Sequence, residues 1–167
     1  MQTTKIIRRI DELGRIVVPK EIRRTLKLRT NDTLEIFSES DALILKKYSP
    51  YHNEYDTCIC LATSLKKITK KEVIITDTQK VICSSIAGVE GCLLTNKMIA
   101  LTGRSVVNEE EIIQPITERN FDYLKQIILP IFNGELIGYI ILFGNESLEM
   151  DRWCAELSAE FLAQKMG

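Results

Sequence analysis

The stretch from Arg8 to Leu26 constrains this chain more than any other. It holds five arginines and Lys20 within nineteen residues. Pro19 suits the start of a helix, where a missing N–H costs nothing, and Glu21 suits the first turn, near the positive end of the helix dipole. The spacing predicts a short helix over 19–27. At about 100° of rotation per residue, Lys20, Arg23, Arg24 and Lys27 fall within an arc of roughly 100°, while Ile22 and Leu26 point the opposite way, toward a core. A solvated charged face is the competing reading, but further cations precede the helix. Arg8 and Arg9 lie in a strand-like run, Ile6 to Ile10, and Arg15 follows Gly14, a residue suited to the positive φ of a turn. A duplex presents closely spaced phosphates. It is bound best when guanidinium groups come from several elements, some fixing position and others reaching base edges.

The net charge of −1 conceals an asymmetry: residues 1–52 carry +4 and residues 53–167 carry −5. Such a split predicts a polyanion-binding end and an end with another task. No stretch reads as a signal peptide or as an apolar run of the roughly 18 residues that span a bilayer, which predicts a cytoplasmic protein with no membrane partner. The five cysteines, Cys58, Cys60, Cys83, Cys92 and Cys154, include no Cys-x-x-Cys pair, and His52 is the only histidine. The expectation is buried free thiols, no metal and no cofactor.

The first segment reads as strand (5–10), strand (15–18), helix (19–27), strand (33–38), a turn at 39–41 and strand (42–47), with Leu34, Ile36, Leu43 and Leu45 alternating as in half-buried strands. Some fifty residues built this way bury too little apolar surface to stand alone, and with no disulfide or metal a dimer is the expected remedy. Tyr48 to Asn53 reads as a linker, which sets domains of 1–52 and 53–167. Beyond it the pattern predicts a helix through Tyr55, Cys58, Ile59, Ala62 and Leu65, and a hairpin of 73–75 with 81–83. A helix over 93–103 follows, then a second hairpin of 121–132 with 136–143 around Asn133-Gly134, and a helix over 148–166. On that last helix Trp153, Leu157 and Phe161 form a stripe, read first as core and second as a pairing surface between subunits. The fold class is α+β.

Arg8 to Leu26, followed by Asp32-Thr33-Leu34-Glu35-Ile36-Phe37 and Leu43 to Tyr48, closely resembles the AbrB-type transition-state regulators of bacteria. The resemblance implies that two chains interlock their hairpins into one swapped-hairpin β-barrel, and that this dimer binds double-stranded DNA. The family's DNA-contacting arginines carry over onto Arg8, Arg15, Arg23 and Arg24, with Arg9 and Lys20 as weaker candidates. The whole layout resembles sporulation regulators in which such a segment precedes a GAF-like domain. In the second half it rests on element order, on Ile137 to Phe143 and on Glu160 to Met166.

The resulting expectation is a nucleoid-associated transcription regulator, activator or repressor, dimeric through 1–52. Residues 53–167 are expected to assemble dimers into a tetramer or to sense an unidentified small-molecule effector. An antitoxin-type autorepressor with a C-terminal partner-binding domain is the alternative, but its tail would be short and disordered, whereas 53–167 carries the apolar periodicity of a folded domain. An enzyme is not expected. No nucleophile–base pair or phosphate-cradling loop occurs, Gly88-Val89-Glu90-Gly91 reads as a plain loop, and Asp77 reads as a hairpin-turn residue. The acidic run Glu109-Glu110-Glu111 reads as a solvated loop; Arg104 and Tyr123 are either pocket or exposed-loop residues.

Overall fold

The computed structural model describes residues 6–26, 28, 30, 33–107, 112–146 and 149–166. The chain divides into two compact units, Met1–Ser49 and Pro50–Gly167. In the first, α1 (Lys20–Thr25) precedes an antiparallel hairpin of β1 (Leu34–Glu39) and β2 (Ala42–Lys47). Directly opposed residues share a face, so the register Ile36↔Leu45 and Ser38↔Leu43 gathers Ile36, Leu43 and Leu45 on one side. Phe37 and Ile44 lie on the other, with the Lys46 ammonium 5.1 Å from the Phe37 ring centroid.

Two expected strands are not formed. Residues 6–19 carry no ladder, because a strand needs a neighbour and one chain supplies none here. The helix is also shorter than expected, with Pro19 as its N-cap and Leu26 as its C-cap; Lys27 lies outside the described residues. Leu26, expected to face a core, is exposed, and Ile22 is half-buried.

The second unit is a five-stranded antiparallel sheet in the order β4-β3-β7-β6-β5. Its elements are α2 (Tyr55–Thr69), β3 (Glu72–Asp77), β4 (Val81–Ser84), α3 (Asn96–Ile99), β5 (Val106–Val107), β6 (Lys125–Asn133), β7 (Glu135–Gly144) and α4 (Glu149–Lys165). Alternation with period 2 sends Val73, Ile75, Leu129, Ile131, Ile140 and Leu142 to one face, where α2 and α4 cover them. Tyr51, from the 3-10 turn Pro50–His52, packs into the same layer. Ile74, Ile128, Tyr139, Ile141 and Phe143 point the other way and are covered by Val89, Leu94, Met98, Ile116 and Phe121.

Turn chemistry follows the sequence. Asp77 Oδ1 accepts from the Gln79 and Lys80 N–H groups at 2.6 and 2.7 Å, as a hairpin-turn residue should. Gly134 turns the β6–β7 hairpin at φ +69°. The Asn133 amide donates to the Met166 carbonyl at 2.8 Å, tying that turn to the end of α4, while Lys71 Nζ lies 3.7 Å from the buried Asp151 carboxylate in its first turn.

The expected helix over 93–103 shrinks to α3, because Leu93 and Leu94 are held in bridges to Lys80 and Ile116 and the Thr95 hydroxyl caps Met98 N–H at 3.2 Å. Thr102 and Gly103, both at positive φ, then end the segment. The strand expected from Phe121 starts at Lys125. Phe121 is bound instead by the Gln114 side chain, whose Oε1 accepts from its N–H at 2.6 Å and whose Nε2 donates to its carbonyl at 3.0 Å. Gln126, itself buried, grips the backbone of Ile113 in the same two-handed way. Pro130 lies past the end of β5, along the open side of β6, where no ladder needs the N–H it lacks.

The α4 stripe departs from its first reading. Ala155, Ser158, Ala159, Leu162 and Ala163 form the buried face, whose small side chains bring the helix close to the sheet; Met150, Trp153, Leu157 and Phe161 are exposed. Cys58 and Cys83 are buried, and the adjoining Cys58 sulfur together with burial holds the Cys83 thiol far above its ordinary range. Cys60, expected to be buried, is exposed on the opposite side of α2. Tyr123 stacks on Phe143 at 5.5 Å, and Arg104 is exposed; residues 109–111 lie outside the described residues. Among the described residues no helix is long and apolar enough to cross a membrane.

At Gly138 an added Cβ would overlap the Thr76 carbonyl oxygen and the Tyr51 hydroxyl. Both are anchored in the core. Gly138→Ala is therefore expected to destabilise the second unit by on the order of 3 kcal/mol. Thermal unfolding should show its Tm lowered by about 10 °C.

Candidate nucleic-acid interface

Three elements of the first unit carry the basic residues singled out from the sequence. Arg8 and Arg9 stand exposed in the extended run; Arg8 Nη1 donates to the Ile7 carbonyl at 3.0 Å. Arg23 and Arg24 lie side by side in the last turn of α1, both exposed, with no acidic partner among the described residues. At the end of a helix, where carbonyls leave partial negative charge, cations are favoured. The main-chain start of this helix is regular: Arg23 N–H donates to the Pro19 carbonyl at 2.9 Å.

Arg15 occupies the tightest element. The loop from Asp11 to Arg15 closes on itself: Gly14 N–H donates to the Asp11 carbonyl at 2.9 Å and Asp11 N–H to the Arg15 carbonyl at 3.1 Å. Gly14 sits at φ +75°, a left-handed conformation that side chains rarely adopt. The Asp11 carboxylate organises the interior. Its Oδ1 accepts from the N–H groups of Leu13 and Arg15 at 3.0 and 2.8 Å, and its Oδ2 accepts from Arg15 Nε at 2.8 Å. Hydrogen bonds from the Arg15 N–H, and then from its guanidinium, hold the Asp11 carboxyl below the usual carboxylate range. Sequence reading passed over Asp11, although an aspartate three residues before a turn glycine is the composition of a side-chain-closed turn.

The second feature of this unit is apolar. None of its described residues is buried. Ile7, Ile10, Leu13, Val17, Leu26, Ile36 and Leu43 are each more than half exposed. An apolar surface of that extent, rimmed by arginines, marks an interaction face. A cationic surface with an unmet apolar one beside it fits a protein that binds a polyanion while paired.

Comparison with known proteins agrees with that division. Residues 7–51 match the family described as antidote-toxin recognition MazE, bacterial antitoxin, and residues 58–167 match stage V sporulation protein T C-terminal, transcription factor. Over 178 aligned positions the chain is 36% identical to stage V sporulation protein T of Bacillus subtilis (strain 168), covering 99% of each. Over 50 residues, 30% of this chain and 52% of the relative, it is 52% identical to the transition state regulatory protein AbrB of the same organism. The solution structure of the N-terminal DNA recognition domain of AbrB shares 52% identity, covering 30% of this chain and 94% of that one, with a TM-score of 0.26. An AbrB-like segment joined to a second α+β unit defines a two-part transcription factor. The chain belongs to the stage V sporulation protein T family.

Proposed function

We propose that this protein controls sporulation or transition-state genes, at the nucleoid, by binding duplex DNA as a dimer of its N-terminal domain, residues 1–52. The observation that carries the reading is that none of the described residues of the first unit is buried. A second copy remedies this. Its hairpin lies over the Ile36, Leu43 and Leu45 face, and the extended 6–19 runs of the two chains pair, giving the swapped-hairpin barrel. Arg8, Arg15, Arg23 and Arg24 of each chain contact the DNA, with Arg9 and Lys20 flanking them. The antitoxin reading is set aside because residues 58–167 match a transcription-factor domain and fold around a two-sided core.

Residues 53–167 act as a GAF-like assembly domain. The sheet face on which a GAF-like fold offers a cavity is packed by Val89, Leu94, Met98 and Phe121, so an effector, if one binds, enters by displacing them. Assembly has a ready surface instead. Met150, Trp153, Leu157 and Phe161 recur at intervals of three and four residues, the seam of a helix pair, and α4 of a second dimer covers them to make a tetramer. The net charge of −5 on residues 53–167 keeps this domain off the phosphates.

Eight arginines in a dimer, each releasing about 0.9 counterions, give an expected slope of log affinity against log salt near −7. Arg23→Ala and Arg24→Ala should each weaken binding and flatten that slope by about two for the dimer; unchanged affinity in both singles and the double removes α1 from the surface. Residues 1–52 expressed alone should sediment as a dimer. Leu157→Glu combined with Trp153→Glu should leave the circular dichroism unchanged and shift the full chain from tetramer to dimer in sedimentation. A mass unaffected by that substitution excludes α4 as the joint.

A further inference from the structure

We propose that Asp11 is a positioning residue for DNA recognition: its carboxylate pre-aims the Arg15 guanidinium at a paired acceptor on the duplex. The proposal rests on the reading above that Arg15 faces DNA. Its geometry is that of a clamp. Oδ1 accepts from two backbone N–H groups and so closes the loop, while Oδ2 takes the Arg15 Nε at 2.8 Å. A guanidinium has five donors in a rigid plane. With Nε engaged, the end-on pair of N–H groups, one on Nη1 and one on Nη2, is left as a fork directed away from the carboxylate. The Arg15 side chain remains 71% exposed after making this pair, so the fork is open to a ligand. Two parallel acceptors match it: the oxygens of one phosphate, or O6 and N7 of guanine.

Neither fold stability nor simple charge accounts for the arrangement. An isolated exposed ion pair contributes little to stability. Beside phosphates, a carboxylate is repulsive, so by charge alone Asp11 opposes DNA binding. Its contribution is to hold a flexible side chain in one direction before the encounter, so that the ordering cost is not incurred on binding. Arg8 differs. Among the described residues its guanidinium hydrogen-bonds to the carbonyl of the preceding residue and to no carboxylate, and Arg23 and Arg24 likewise have no such brace.

Charge and positioning predict opposite signs, which makes the test direct. The probe is the tightest duplex that the full-length protein selects from a random-sequence pool, with poly(dI-dC) as the second probe. Asp11→Asn retains the oxygen that accepts the two backbone N–H groups but sets an amide against Nε. It is expected to weaken binding to the selected duplex by about fivefold, the order that one immobilised side chain costs. In an Arg15→Lys background, which keeps the charge and lacks the fork, the same substitution should cost nothing or tighten binding. A loss confined to the selected duplex points the fork at guanine; a loss on both probes points it at phosphate. Tighter binding by Asp11→Asn alone, or an equal loss in both backgrounds, overturns the clamp. If Arg15→Ala leaves affinity unchanged, Arg15 is not on the DNA surface and the clamp falls with it. A full Arg15 effect beside a silent Asp11→Asn overturns the clamp and leaves that surface standing.

Discussion

A β-strand presents side chains to two faces, and each needs cover. Strand β7 has it on both: Ile140 and Leu142 lie under α2 and α4, while Tyr139, Ile141 and Phe143 lie under the segment between β4 and β6. The second unit is organised around that double burial. Even its irregular parts comply, since buried backbone polar groups must be paired. Away from the ladders, the Gln114 and Gln126 side-chain amides offer the backbone of Phe121 and Ile113 both a donor and an acceptor. The β1–β2 hairpin has two faces as well, and within one chain neither is buried. One unit therefore meets its packing requirement internally, and the other leaves its apolar faces uncovered within one chain.

The parts of the fold legible in the sequence are those whose signal is local. The hairpins show in alternation and in Asn133-Gly134, α2 in its apolar spacing, and Asp77 in its turn setting. What escaped reading depends on distant partners. Nothing local announces that Leu93 and Leu94 pair with Lys80 and Ile116 rather than starting a helix, or that a glutamine amide at position 114 holds Phe121 out of β6. The α4 stripe was misread because apolar residues at helical spacing usually mark the buried face, whereas here alanines do. The arginines were legible as a group from charge density alone. The geometry that distinguishes Arg15 from the rest was not, because it lies in a carboxylate four residues upstream in a loop, where no periodicity points to it.

The two units also divide the electrostatic task. Residues 1–52 carry a net charge of +4 and residues 53–167 one of −5, so attraction to a polyanion is concentrated in the first part of the chain. On the reading proposed above, apolar contacts on α4 would respond little to salt, while DNA affinity would stay under ionic control.

Pro130 carries a consequence for how crowded copies of this chain behave. Among the described residues β5 pairs only with Ile127 and Ile128, so Pro130 lies on a stretch of β6 whose outer side carries no described ladder. A full row of donors and acceptors there would recruit strands from neighbouring molecules in open-ended fashion. A residue without an N–H in that row interrupts the template and so works against strand addition at this margin.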